Sequence, residues 1–276
     1  MTPDTATAPR VHATVVTDRR EPHPGIVILN LYSPALCAEV QPGQFVMAIP
    51  SRGVLPATAL GVYEAWDQHV SLMIVSAGPR TADLAALRSG DALDLLGPLG
   101  NGFFLDNVPH SVGIVAGGVG LASVLSAAKR CVAAGARATL YYGARTATAL
   151  VDVDRFESAG CEVALATDDG SLGHHGFVTD LLRASALPQL LLACGPSPMM
   201  RAVAALAQER GVPAQLSLEE NFGCGVGACW GCVVPLDRKS AQAPHFPPPT
   251  AHEPRPFVHA RVCKEGPIFW ASELKW

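Results

Sequence analysis

Short apolar segments separated by turn residues fill the first 105 residues of the chain. Residues 10–18 alternate between apolar and polar positions, which is the period of a half-buried strand. The same reasoning predicts strands at 25–31, 44–49, 70–75 and 91–96, with one short helix at 81–89. Several short strands with turns between them predict a small antiparallel barrel.

From residue 111 onwards, continuous apolar strands alternate with helical segments. Strands are predicted at 112–116, 138–142, 162–166 and 189–193, and helices at 121–134, 178–184 and 199–210. This alternation predicts a parallel sheet with helices packed against it. Ligands of such sheets bind beyond the carboxyl ends of the strands, and the glycine-rich loops of this region follow those ends.

The loop after the first of these strands carries Gly117, Gly118 and Gly120. Its backbone N–H groups and the start of the next helix can approach a pyrophosphate. The loop lacks the third glycine of the full dinucleotide fingerprint. Nucleotide binding and a plain tight turn between strand and helix therefore both remain open from this loop alone.

Four cysteines near the end of the chain have a spacing typical of a metal cluster. Cys224, Cys229 and Cys232 form a C-x4-C-x2-C pattern, and Cys263 follows at a distance. This is the plant-type spacing for a [2Fe–2S] cluster, which is bound by four thiolates. Zinc sites usually pair two short C-x2–4-C elements, so zinc and plain structural thiols are the alternatives.

The cysteine loop is rich in glycine and is followed by a proline-rich stretch. We expect Gly225, Gly227 and Gly231 to reach positive φ, so that the backbone can turn tightly and point N–H groups at the cluster sulfurs. Residues 244–256 hold many prolines, which exclude a regular helix or a central strand. We expect a surface insertion there, and a proline-rich partner motif is the alternative.

Composition and charge argue against several classes of protein. A chain of 276 residues is long enough for two or three compact units. Its formal net charge of -4, without a Lys/Arg cluster, argues against a nucleic-acid surface, and no run approaches the roughly 18 apolar residues of a membrane span. The N-terminus lacks the apolar segment of a secretory signal, so a cytoplasmic location is expected. The remaining cysteines are predicted to be small buried hydrophobes: Cys37, Cys131, Cys161 and Cys194.

Several motifs together resemble the electron-transfer subunits of NAD-dependent (class 1B) dihydroorotate dehydrogenases, within the ferredoxin-reductase superfamily. The resemblance runs over nearly the whole chain. It implies an FAD-binding antiparallel β-barrel at 1–108, an NAD-binding α/β domain at 109–213, and a small [2Fe–2S] domain with a proline-rich insertion at 214–276. The motifs are GPLGNGF at 97–103, TDDGS at 167–171, CGP at 194–196, SLEE at 217–220 and RVCKEGP at 261–267.

The resemblance also implies which residues bind cofactors, although two positions depart from the family pattern. Leu55 stands where the flavin motif usually carries arginine, and Arg80 replaces the second glycine of another flavin motif. Arg80 either restores the missing phosphate charge or is a solvated loop residue. The implied residues are Leu55, Pro56, Ala57, Thr58, Gly78, Arg80 and Thr81 for FAD; Gly117, Gly118 and Gly120 for the NAD phosphates; Asp168, Gly170, Cys194, Gly195 and Pro196 near the nicotinamide ring; and Cys224, Cys229, Cys232 and Cys263 for the cluster.

The function implied by the resemblance is electron transfer in pyrimidine biosynthesis. Electrons would come from the FMN of a partner catalytic subunit, in a heterotetramer, and pass through the cluster and FAD to NAD⁺. A flavin suits this position because NAD takes hydride whereas a cluster passes single electrons. No acid–base residue is nominated. The rivals are a related subunit that couples NAD(P)H to ferredoxin, a hydrogenase or a sulfur reductase, and a cluster protein without flavin.

Overall fold

The computed structural model describes residues 9–50, 57–237 and 257–276. Its first part has the strands β1 (Arg10–His23), β2 (Ile26–Tyr32), β3 (Phe45–Pro50), β4 (Thr58–Trp66), β5 (His69–Val75) and β6 (Ala92–Leu99). They form a closed antiparallel barrel in the order β1-β2-β5-β4-β3-β6, as predicted. Alternate residues of each strand point into the barrel core, because side chains of a strand alternate between its two faces.

The sequence predicts one helix in this region, but the structure has two. The helix predicted at 81–89 lies at Pro79–Ala85 (α2), so it begins two residues earlier and ends four residues earlier, and a further helix forms at Pro34–Glu39 (α1). Helix α1 starts with a proline, and the N–H of Cys37 bonds to the carbonyl of Ser33 at 2.9 Å. Six residues with one buried apolar side chain, Leu36, are too short to show a helical period. Strand β4 also lies outside the predicted strands.

The second part is a single large sheet with helices packed on it. Its strands are β7 (Ser111–Gly117), β8 (Arg137–Ala144), β9 (Glu162–Thr167), β10 (His174–His175), β11 (Leu190–Cys194), β12 (Ala214–Ser217) and β15 (Ile268–Trp270); its helices are α3 (Leu121–Ala133), α4 (Val153–Ser158), α5 (Val178–Ala184) and α6 (Ser197–Arg210). The seven strands have the order β10-β9-β8-β7-β11-β12-β15. All pairs are parallel except the last, β12 with β15. The predicted parallel sheet is thus confirmed.

The last part of the chain is built onto this sheet. Residues 214–217 and 268–270 supply its last two strands, and the antiparallel pair of β13 (Val233–Asp237) and β14 (Phe257–Arg261) lies beside it. Cys131, Cys161 and Cys194 are buried as predicted, and Cys37 is half-buried. None of the helices in the three described ranges is both long and apolar enough to cross a lipid bilayer. The proline-rich residues 244–256 lie outside the described residues.

Helix α3 joins the two large units by packing on strand β4. Glu64 of β4 is buried and forms ion pairs with Lys129 of α3 and Arg155 of α4. A second pair joins Arg20 of β1 to Asp152, which also accepts a hydrogen bond of 2.6 Å from the Tyr63 hydroxyl. A buried carboxylate is costly unless its oxygens are paired, so these contacts fix how the barrel meets the sheet.

We expect Asp152→Asn to lower the free energy of unfolding by about 1–2 kcal/mol at pH 7, since a charge-assisted pair becomes a neutral one. Burial raises the pKa of Asp152, but hydrogen bonds from Arg20 and Tyr63 outweigh it and hold the pKa below its usual value. The stability from this group is therefore fully present above the unfolded-state pKa of about 4, and is lost as the pH falls through the lowered folded-state pKa.

Chemical denaturation of both proteins at pH 7 and near pH 2 measures this difference. The gap between wild type and variant should close at the lower pH. Glu157→Gln, at an exposed position of helix α4, which begins directly after Asp152, should stay within about 0.5 kcal/mol of wild type at both pH values. An equally large gap for Asp152→Asn at both pH values would contradict the interpretation.

Candidate functional site

A cleft of about 300 Å³ lies where the barrel, α3 and the segment after β12 meet. Thr58 and Thr81, predicted for the flavin from separate motifs, both line it, together with Ser123 of α3. Strand β4 and helix α3 approach closely here, because a Cβ added at Gly61 would lie 3.4 Å from the Ser123 hydroxyl. The structure therefore brings two of the predicted flavin residues to one opening.

The two threonines differ in what their hydroxyls do. Among the described residues, the buried Oγ1 of Thr58 has no hydrogen-bond partner, and such an atom needs one. The Thr81 hydroxyl accepts the N–H of Ala77 at 3.0 Å and of Gly78 at 3.2 Å, and so caps α2. Thr58 is thus the hydroxyl available to a ligand.

Three other predicted flavin residues that the structure describes do not line the cleft: Ala57, Gly78 and Arg80. Gly78 and Arg80 are exposed at the start of α2, and neither lines the cleft. Ala57 packs against the apolar cluster that contains Cys232 and Cys263. Leu55 and Pro56 lie outside the described residues.

The loops after β7 and β11 are pressed together. A Cβ at Gly120 would lie 2.4 Å from the carbonyl oxygen of Cys194, and one at Gly117 would lie 2.8 Å from Pro196. Only glycine permits such an approach. Gly118, with φ +53°, faces open space, because a Cβ added there would meet no atom within 4 Å. Gly117, Gly118, Gly120 and residues 194–196 are thus packed together at the start of α3.

Asp168 and Gly170 lie elsewhere, next to Arg145. The N–H of Asp168 bonds to the carbonyl of Ala144 at 3.1 Å, and the N–H of Asp169 to that of Arg145 at 3.2 Å. In the sheet order, β8 and β7 separate their strand from β11, a distance of about 14 Å at the usual spacing. Residues 168–170 and 194–196, both expected near the nicotinamide ring, are not brought together.

Glu219 is a functional candidate to which the sequence analysis assigned no role. It lines the cleft, and the Cys194 thiol donates a weak hydrogen bond to its Oε1 at 3.7 Å. Burial raises the pKa of Cys194, and the nearby Glu219 charge adds to the effect. Glu219 reaches solvent through the cleft, yet the surrounding protein desolvates its carboxylate and raises its pKa. The signal available in the sequence was the SLEE motif at 217–220, which contains it.

The four cysteines of the predicted cluster lie two by two. Cys224 Sγ accepts the N–H groups of Ala228 at 3.3 Å and Cys229 at 3.4 Å, and the Cys229 thiol also bonds to it. Cys232 Sγ accepts the N–H of Cys263 at 3.4 Å, and the two free thiols are also hydrogen-bonded to each other. Cys263, 31 residues away in the chain, therefore lies beside Cys232.

Electrostatics differ between the two pairs. Burial raises the pKa of Cys224, but backbone N–H donors led by Cys229 outweigh it and lower the pKa to about 6. Burial and the neighbouring Cys232 raise the pKa of Cys263 to about 12. The described part of the chain holds no group of three or more His, Cys, Asp or Glu side chains arranged for a metal ion. The thiols are instead grouped in pairs.

Glycine acts in the cysteine loop at two of the three expected positions. Gly225 has φ +71° and Gly227 has φ +81°. Gly231 does not have positive φ; its neighbour Trp230 takes that conformation, with φ +56°. The prediction for Gly231 is thus wrong, because the tight turn falls one residue earlier. A Cβ at Gly225 would lie 2.5 Å from Met47 Sδ, so the loop is seated against strand β3.

The cysteine loop also adjoins the cleft. Phe222, two residues before Cys224, lines the cleft and packs on Phe45 of β3 with ring centroids 4.9 Å apart. The segment 217–222 therefore borders the opening and leads directly into the cysteines.

Comparison with known proteins adds the family. The oxidoreductase NAD-binding domain family matches residues 114–205. In solved structures, the NADH-dependent reduced ferredoxin-NADP oxidoreductase of flavin-based electron bifurcation aligns with a TM-score of 0.78 and 27% identity, over 95% of this chain and 90% of that one. The ferredoxin reductase of carbazole 1,9a-dioxygenase, at TM-score 0.65 and 22% identity over 75% and 68%, shares the fold.

Curated relatives cover most of the chain. The dihydroorotate dehydrogenase B (NAD(+)) electron transfer subunit of Clostridium acetobutylicum is 34% identical over 86% of this chain and 87% of the relative. That of Bacillus caldolyticus is 37% identical over 85% and 86%, and the probable one of Methanothermobacter thermautotrophicus is 36% identical over 86% and 80%. Identity at this level along nearly the full length of these relatives shows that the chain belongs to the family of dihydroorotate dehydrogenase B (NAD(+)) electron transfer subunits.

Proposed function

We propose that this chain is the electron-transfer subunit of an NAD-dependent dihydroorotate dehydrogenase. It takes electrons from the FMN of a separate catalytic subunit and delivers them to NAD⁺. The observation that carries the proposal is the course of residues 217–222: residues 217–220 and Phe222 line the cleft beside the nicotinamide-type loops, and the segment runs into the cysteine loop. One short segment thus connects all three candidate sites.

FAD fits the cleft between the barrel and α3. When bound there it would supply the exchange between single electrons and hydride. The free hydroxyl of Thr58 is a hydrogen-bond group for the flavin, and Phe45 and Phe222 give the cleft an apolar wall. Glu219 faces the same opening from the sheet side, with the buried Cys194 thiol behind it. They would position the nicotinamide against the flavin.

NAD fits the carboxyl edge of the sheet. The open space above Gly118, at the start of the 13-residue helix α3, suits a pyrophosphate, since a helix N-terminus presents free N–H groups. Residues 194–196 lie beside this point, towards the cleft. Asp168 and Gly170, beside Arg145, suit the adenosine end rather than the ring.

A [2Fe–2S] cluster fits the two thiol pairs. Each iron of such a cluster binds two thiolates, and Cys224 with Cys229 and Cys232 with Cys263 provide two and two. N–H groups already aimed at Cys224 and Cys232 are the donors that stabilise sulfur charge. A bound cluster would accept and release single electrons.

The remaining expectations follow from the family. We propose units at 1–108, 109–213 and 214–276, a role in pyrimidine biosynthesis, a heterotetramer with the catalytic subunit, and a cytoplasmic location. Residues 214–276 would act with the sheet rather than as a separate body, since they supply two of its strands.

A second function has specific support. The oxidoreductase of flavin-based electron bifurcation aligns over 95% of the chain at 27% identity. A subunit that couples NAD(P)H to ferredoxin would use the same three sites, and only the partner would differ.

Co-expression with the catalytic subunit and an assay of dihydroorotate-dependent NAD⁺ reduction test the main proposal. Cys263→Ser should lower this activity at least about 100-fold, because one iron loses a thiolate. NADH-driven ferricyanide reduction, which needs only flavin, should remain. Cys37→Ser, a thiol outside the cluster, should keep both activities. Ferredoxin-dependent activity without dihydroorotate activity would favour the second function, and full activity of Cys263→Ser would contradict both.

Flavin binding is tested at Thr58. Thr58→Val should weaken FAD affinity about three- to tenfold, which is the net value of one hydrogen bond, as measured by quenching of flavin fluorescence. Ser71→Ala is the matched control, because the Ser71 hydroxyl is also buried without a described partner but does not line the cleft. Equal effects of the two substitutions would contradict the assignment.

Arg80→Ala in the same titration tests whether Arg80 supplies the positive charge that meets the FAD phosphates. A lower FAD affinity would support this role, and an unchanged affinity would contradict it.

Coenzyme choice is tested at Asp168. A carboxylate beside the adenosine ribose favours the free 2′-hydroxyl and repels a 2′-phosphate. Asp168→Asn should therefore lower the ratio of kcat/KM for NADH to that for NADPH about three- to tenfold. Glu162→Gln, at the other end of β9, removes the same charge and should leave the ratio unchanged. A lower kcat with an unchanged ratio would instead place Asp168 near the reacting ring.

A further inference from the structure

The fourth cysteine sits in a turn that one ion pair closes. Cys263 lies between Arg261 and Glu265, whose side chains bond through the guanidinium Nε at 3.1 and 3.2 Å and through Nη2. The backbone N–H of Arg261 also donates to Glu265 Oε2 at 2.7 Å. The Glu265 side chain is 9% exposed and that of Arg261 is 23% exposed. The pair therefore fixes the backbone on both sides of the thiol.

The same guanidinium reaches the loop with the other three cysteines. Arg261 Nη1 donates to the carbonyl of Gly227 at 2.7 Å, and its Cζ lies 4.8 Å from the centre of the Trp230 ring. Gly227 and Trp230 both have positive φ, so the backbone of that loop turns sharply at each of them. One side chain thus connects the distant turn to both bends.

Arginine is suited to this place for a geometric reason. Its planar fork can hold a carboxylate on one edge, a carbonyl on another, and stack its face on an aromatic ring. Lysine has a single ammonium on a flexible stem and cannot make these contacts together.

A fixed positive charge beside a cluster favours its reduced form, which carries one more negative charge. Glu265 opposes this effect from the same pair. The two members should therefore have opposite effects on the reduction potential, whereas loss of a purely structural contact would not depend on the sign of the charge removed.

We propose that Arg261 is a positioning residue that aligns the two cysteine-bearing segments, and that with Glu265 it sets the reduction potential of the cluster. This inference rests on the proposed function, because it requires that the four thiols hold a [2Fe–2S] cluster.

The test uses the purified full chain with its flavin, and measures iron per chain and the potential by redox titration of the electron paramagnetic resonance signal. At the wild-type midpoint, Arg261→Gln should lower the ratio of reduced to oxidised cluster at least about threefold, and Glu265→Gln should raise it by a similar factor; a tenfold change would be about 59 mV. The double variant should return towards wild type. Arg261→Gln should also lose iron to a chelator several times faster than wild type.

Equal potentials in all four proteins, or shifts of one sign in both single variants, would overturn the inference. If Arg261→Gln retains no cluster, Glu265→Gln alone decides: a raised potential supports the inference, and an unchanged or lowered one overturns it. Wild-type protein without iron and sulfide would instead refute the cluster itself, so the two failures are distinguishable.

Discussion

The architecture depends on the hydrogen bonds of Asn101, which joins the barrel, the sheet and the fourth-cysteine turn. Its N–H donates to the Gly266 carbonyl at 2.6 Å, and its side-chain amide donates to Glu265 and Ile268 carbonyls and accepts the Ile268 N–H at 2.9 Å. A Cβ at Gly100 would lie 2.6 Å from the Gly266 oxygen, so glycine must precede the asparagine. The motif at 97–103 therefore anchors the turn at residues 265–268.

These hydrogen bonds of Asn101 explain why the cleft, the loops after β7 and β11, and the cysteine loop lie next to one another. Strand β15 begins at Ile268, one of the residues that Asn101 binds, and completes the sheet beside β12. Leu218, which follows β12, donates its N–H to the Pro267 carbonyl at 2.9 Å. Because Pro267, residues 217–220 and Phe222 line the cleft, fixing the turn also fixes one wall of the cleft. The other wall is held by Glu64 and its two cations on α3 and α4.

The sequence predicted what is set by local pattern and missed what depends on distant contacts. The barrel, the parallel sheet and helix α5 (Val178–Ala184) could be read from apolar periodicity. Strands β12 and β15 have four and three residues, too few for a period, and exist because each covers a sheet edge. Glu219 and Asp168 gained their settings from strand order, which composition and spacing do not encode. The positive φ of Trp230, in place of Gly231, shows the same limit. The dihedral angles of this loop depend on the contacts of Arg261 with Gly227 and Trp230.

The two thiol pairs differ in exposure, and this indicates which end of the proposed electron path would face the partner subunit and which the flavin. Cys232 and Cys263 are each 2% exposed and pack with Phe45 and Met47 of the barrel. Cys229 is exposed, and beside it Trp230 is 54% exposed. Electron exchange with a partner requires an accessible edge, whereas exchange with a flavin in the cleft requires a short path through protein. The buried pair lies on the side of Phe45, which lines the cleft, so the loop presents one edge outwards and the other to the flavin wall.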